Sequence, residues 1–192
     1  MQLASPITLT QLDALVGEYL ASRSRGSCGA VVYGADCDCD IPEGKTLEDA
    51  IGNATLSVDR HGKKCPHQYR IAKGDLEELS KAVLCKADEI KQCRSFEALH
   101  DVIWDVAARI KGIGPLTTYD VSIRIGCFLK LKPKVVYLHA GTRAGARALG
   151  LDYRGATLTT DTLPKPLCRL SAALIEDFLC IYKDKLGPLA AE

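Results

Sequence analysis

The sequence predicts a mainly α-helical fold, a helical domain preceded by a less regular N-terminal segment. Apolar residues recur at three- and four-residue spacing along most of the second half of the chain. Residues that favour helix starts stand ahead of those stretches, at Asp75, Ser95, Pro115 and Ser171. No internal repeat or low-complexity tract interrupts them. A chain of 192 residues, 47% of them hydrophobic, can bury a substantial core as one large domain or two small ones.

The first helix is expected near residues 8 to 22, with Leu12, Leu15, Val16, Tyr19 and Leu20 as its inner stripe. It ends in the loop signal SRSRGS. From residue 26 to 74 the pattern weakens: GAVVYG suits a short strand, TLEDAIGNA a short helix, and DRHGKKCPHQYRIAKG a polar loop punctuated by glycine and proline. Asp75 with Glu78 forms a capping-box-like start for DLEELSKAVLCKADEIKQC, and Ser95 opens SFEALHDVIWDVAARI, so two antiparallel helices are expected. Trp104 lies in an apolar stripe with Val102, Ile103 and Val106, which favours core packing for it. The next helix runs from about Pro115 to Lys130, with proline at the first helical position, where its missing N–H costs nothing. Ser171 caps the last, whose Leu174, Ile175, Phe178 and Ile181 are expected to face inward.

No apolar run approaches the roughly 20 residues that cross a bilayer, and the opening MQLASPITLTQ lacks the basic-then-apolar order of a secretory signal. A cytoplasmic location and no membrane partner are therefore expected. Nine cysteines, an odd count with several on apolar helix faces, read as buried reduced thiols. The formal charge of +1 conceals an uneven distribution: residues 1 to 60 hold 4 Lys/Arg and 9 Asp/Glu, whereas residues 100 to 150 hold 8 and 3. The second of these segments suits an anionic partner.

Within that basic segment lies IKGIGPLTTYDVSIRIG, a Gly-x-Gly turn between two helical patterns. Gly112 and Gly114 accept the backbone angles of a tight turn, and their missing side chains let a ligand approach the main chain. The helix that follows presents unpaired N–H groups and about half a positive charge, a phosphate-binding arrangement, and Lys111 adds a full charge at the rim. Ile110, Ile113, Val121 and Ile125 would pack the two helices and hold the turn rigid. A plain αα-corner with a solvated Lys111 explains the same residues, since short motifs match by chance.

This stretch resembles the helix-hairpin-helix motif of the DNA glycosylase superfamily that includes endonuclease III and the adenine glycosylases. The similarity continues through KPKVVYLHAGTRAGARALGL and LPKPLCRLSAALIEDFLCIYKDKL, covering roughly residues 95 to 185. It implies a helix-hairpin-helix glycosylase-like domain over residues 75–192, with residues 1–74 as an N-terminal helix and irregular segment packed on that core. It also implies a partner in duplex or distorted DNA, gripped by phosphate, often around a monovalent cation at the hairpin. No other cofactor is expected, because the cysteine order lacks the iron–sulfur loop of some members. By position, Gly112, Ile113, Gly114 and Leu116 would present main-chain groups, and Thr117 matches the family threonine. Thr118 stands where a small alanine is usual.

The catalytic positions depart from the family. Leu116 stands where bifunctional members carry a nucleophilic lysine, and an alkyl group cannot replace an attacking amine. Residues 137–139, where the family aspartate is expected, contain no carboxylate. His139 is the candidate general base, its ordinary pKa lying near neutrality; a helix cap or phosphate contact is the plainer role. Asp120 reads as compensation of the helix dipole or as a helix cap. Arg143 and Arg147, four residues apart on one helix face, suit phosphate contacts and a solvated face almost equally.

The loop RHGKKCPHQYRIAK gathers donors that could reach a DNA groove, His67, Gln68 and Arg70 among them, with a solvated basic loop as the alternative. Tyr69 could stack on a base. Cys37, Cys39, Cys65 and His67 offer four soft ligands, but one intervening residue within each pair strains a zinc site, and no metal is expected. Three readings stay open: a DNA-binding protein without standard excision residues, a monofunctional glycosylase or related base-processing enzyme using His139 or a carboxylate from residues 26–74, and a structural helical module.

Overall fold

A computed structural model describes residues 5–24, 44–58, 63–65 and 68–190. It is mainly helical, with eight α-helices among the described residues: α1 (Leu9–Ser24), α2 (Leu47–Leu56), α3 (Lys73–Leu84), α4 (Ala87–Gln92), α5 (Phe96–Ala107), α6 (Pro115–Leu129), α7 (Ala140–Ala148) and α8 (Ala172–Tyr182). Two-residue strands β1 (Val136–Tyr137) and β2 (Thr157–Leu158) pair antiparallel. No helix among the described residues is long and apolar enough to cross a membrane.

The chain divides into two compact units, one of Met1–Val31 with Lys134–Glu192 and one of Val32–Pro133. This division differs from the expected one at residue 74. The reason is packing across that boundary: Ile51 and Ala54 of α2 share one core with Leu79 and Val83 of α3, Leu99 and Ile103 of α5, and Val121 and Ile125 of α6. Residues on both sides of residue 74 thus exclude water together.

In the central unit, α2 starts at a full capping box, Thr46 accepting from the Asp49 amide while Asp49 accepts from the Thr46 amide. Helix α3 starts two residues before the expected Asp75, at Lys73, and Asp75 occupies its first turn without capping it. The single helix expected over 75–93 is broken at Cys85 and Lys86, where the Lys86 amide bonds the Val83 carbonyl in a tightened turn. Ser95 caps α5 through the Ala98 amide, as its sequence position predicts.

Trp104 departs from its expected core position and is 41% exposed. The inward residues of α5 are Phe96, Leu99, Ile103 and Ala107, and Trp104 falls beside that stripe, its ring stacked on His100. The tight approach of α6 to its surroundings rests on Gly126, where a Cβ would lie 2.7 Å from the Leu131 carbonyl oxygen.

The other unit joins the two ends of the chain. Leu12, Val16 and Tyr19 of α1 share a core with Ile175, Phe178 and Leu179 of α8. The Tyr19 ring meets Phe178 edge-on, and its hydroxyl donates to Asp177. Ile7 exchanges backbone bonds with Pro188 and Ala190. Ser171 caps α8 through the Leu174 amide, but Ile181 is 57% exposed rather than inward, because the buried face turns through Phe178, Leu179 and Tyr182. Helix α7 lies close to α8: a Cβ on Gly145 would run into the Leu179 carbonyl oxygen, and one on Gly141 would strike the Cys180 sulfur. Two glycines four residues apart let the helices meet along their backbones.

Candidate nucleic-acid interface

Ile110, Val121 and Ile125 are buried in one core, with Ile113 packed against it, so both arms of the glycine turn are anchored. The Ile113 amide donates to the Ile110 carbonyl and tightens the turn. Gly112 has φ +86°, the left-handed region where side chains are costly. Gly114 is extended and serves as N-cap of α6, with Pro115 at the first helical position. Having no side chain, Gly114 offers no acceptor to the first-turn amides of α6, which lack intrahelical partners.

Lys111, Gly112 and Pro115 are exposed; Ile113, Gly114 and Leu116 are half-buried. Thr117 and Thr118 are buried. The extra hydroxyl at Thr118 is accommodated by bonding back to the Gly114 carbonyl, which also accepts the Thr118 amide. One charge near the turn was not signalled by the sequence: Asp75 of α3 places its Oδ2 2.9 Å from where a Cβ on Gly112 would stand. This carboxylate opposes an anion at the turn and favours a cation there.

Of the basic loop before α3, residues 63–65 and 68–72 are described, and they divide between buried and exposed positions. Gln68 is fully buried, donating to Asp120 at 2.6 Å and accepting from Arg124. Arg124 also reaches Ser57 and the Ala54 carbonyl at the end of α2. Gln68 is thus an internal connector and not a groove-reading donor, and Asp120 joins this network rather than merely offsetting a dipole. Arg70 and Tyr69 are exposed, and Lys64 donates to the Ile71 carbonyl. His67, Cys37 and Cys39 lie outside the described residues, while Cys65 is buried.

In the other unit, His139 occupies the N-cap position of α7 but makes no side-chain cap bond. Its Nδ1 lies 3.1 Å from Glu176 Oε1 on α8, with 10% and 12% of the two side chains exposed. The same oxygen accepts the Thr142 hydroxyl at 2.5 Å. The close α7–α8 approach at Gly141 and Gly145 brings these groups together. A carboxylate therefore does stand beside the candidate base, contributed by a residue 37 positions away that the sequence presents only as one acid in an amphipathic helix.

Arg143 does not face outward. It donates to the Leu138 and Gly155 carbonyls at 2.9 Å and to the Tyr153 carbonyl, bracing the connection between α7 and β2. Arg147, one turn along, is exposed. Comparison with protein-family models, curated proteins and solved structures finds no match for this chain.

Proposed function

We propose that this chain binds DNA through residues 111–117, a helix-hairpin-helix turn on a glycosylase-like helical domain, without the residues of ordinary base excision. The observation that carries the reading is the exposed turn at Lys111 and Gly112 leading into a helix whose N-cap is a glycine. Its first-turn amides and the helix dipole suit a phosphate, and Lys111 adds long-range attraction. Such contacts grip the backbone and read little sequence. Within the same unit Gln68 acts as an internal support, and in the other unit Arg143 braces its own loop while Arg147 is exposed. The monovalent cation implied by the family resemblance suits this turn electrostatically, because Asp75 stands against Gly112.

Titration of labelled duplex DNA at several salt concentrations tests the reading. Affinity should fall steeply with salt and drop in Lys111→Glu and Gly112→Asp proteins whose melting remains cooperative. Salt-independent affinity, or variants that bind as the parent does, would reject it; no affinity at low salt would leave a structural helical module.

A monofunctional glycosylase is the second reading, favoured by the Glu176 carboxylate against His139 Nδ1, which fixes the imidazole's orientation. Duplexes carrying oxidised, deaminated or alkylated bases would then gain abasic sites with the parent protein and not with His139→Ala.

A further inference from the structure

The unit that joins the chain ends carries an open cleft of about 610 Å³, a size suited to a small molecule. Four separate stretches of chain line it, and main-chain bonds hold each in place. At the end of α7, Gly150 takes φ +77°, and the Gly150 and Leu151 amides return to the Arg147 and Ala146 carbonyls. This glycine cap buries Leu149 and sets Leu151 at the wall, half-buried. In the second stretch, the Leu163 amide bonds the Thr160 carbonyl and the Leu167 amide the Pro164 carbonyl. In the third, the Pro188 carbonyl accepts from the Ile7 amide while the Ala190 amide bonds the Ile7 carbonyl, which fixes Leu189 between them. The fourth is the start of α1, where Thr8 caps the helix through the Gln11 amide and Leu9 faces the cleft.

Walls tied in this way are preformed, and they leave Leu9, Leu151 and Leu189 half-buried instead of folded away. Apolar surface held open to water favours an apolar occupant, at little cost in ordering. Lys165 is the one charged side chain among the described lining residues; it is exposed and pairs with no described carboxylate. An apolar wall with a single unpaired cation matches an aliphatic chain that ends in a single anion. Burying the chain removes its methylenes from water, while the head group stays hydrated beside the ammonium.

We infer that this cleft binds a free medium-chain aliphatic carboxylate, with its chain against Leu9, Leu151, Leu163 and Leu189 and its carboxylate at Lys165. The site lies within one unit and does not depend on the DNA-binding reading.

The test titrates the full chain, methyl-labelled at leucine, with decanoate, decanol and decyltrimethylammonium, each kept below its micelle concentration. The three share one tail and differ in head group. Decanoate should shift the methyls of Leu9, Leu151, Leu163 and Leu189 saturably and bind more tightly than decanol, with decyltrimethylammonium weakest. Lys165→Ala should weaken decanoate about threefold, the scale of one exposed ion pair, and leave decanol unchanged; Lys165→Arg should bind as the parent does. Leu9→Asp puts an acid in the first turn of α1, where the helix dipole tolerates it, and should weaken decanoate about tenfold by removing apolar wall and repelling the head group. Absence of saturable shifts, shifts that miss those four leucines, equal affinity for the three head groups, or decanoate binding unchanged in Lys165→Ala or in Leu9→Asp would each overturn the assignment.

Discussion

Helices α6 and α7 begin alike and end up with opposite surroundings. Neither N-cap, Gly114 or His139, makes a side-chain cap bond. At α6 the approach is glycine and proline with an exposed lysine, and the acceptors must come from outside the helix. At α7 a second helix packs so closely that Glu176 and Thr142 fill the space beside His139. The same local device thus becomes an exposed turn or an internal polar joint according to what packs on it.

Breaking the internal joint should produce the largest effect. Glu176→Ala strips His139 and Thr142 of their shared carboxylate acceptor, and leaving such buried polar groups unsatisfied costs about 3 kcal/mol. Urea unfolding of the full chain measures it; a change under about 0.5 kcal/mol, typical of surface sites, would mean the pair is not a structural joint. Gly145→Val should follow, since its Cβ would invade the Leu179 carbonyl; overpacking of this kind costs about 2 kcal/mol, seen as a lowered melting temperature.

The open turn gives smaller, more selective effects. Gly112→Ala should cost about 1 kcal/mol from its left-handed backbone, whereas Gly114→Ala, with allowed angles and nothing near its added Cβ, should cost about half of that or less. Equal melting shifts in the two variants would contradict the turn geometry. Asp75→Asn removes a negative charge beside the turn and should tighten DNA binding about threefold at low salt, an advantage that fades as salt rises. Smallest is Lys111→Ala, expected to lower the slope of log affinity against log salt by about one.

Local signals made most helices legible. Ser95 and Ser171 cap where their positions predict, Pro115 opens α6, and Leu12, Val16 and Tyr19 line α1 inward. Features created by tertiary packing left weaker traces. The break at Cys85 and Lys86 carries no glycine or proline. Arg143 has the spacing of a phosphate contact and spends its donors on three carbonyls of its own unit. Glu176 looks like any solvated acid until Gly141 and Gly145 are seen to draw α7 onto α8. In the candidate site, the glycine turn was readable because its chemistry is main-chain and local. Asp75 was not, because its place beside Gly112 depends on how α3 packs.

The central claim is that main-chain amides at the turn receive a phosphate. Amide proton and nitrogen shifts of the isotopically labelled chain, followed during titration with duplex DNA at low salt, test it most directly. The account predicts that the amides of Gly112, Gly114, Leu116 and Thr117 move early and saturate together, and less so at high salt. Binding that leaves those four resonances in place would contradict it.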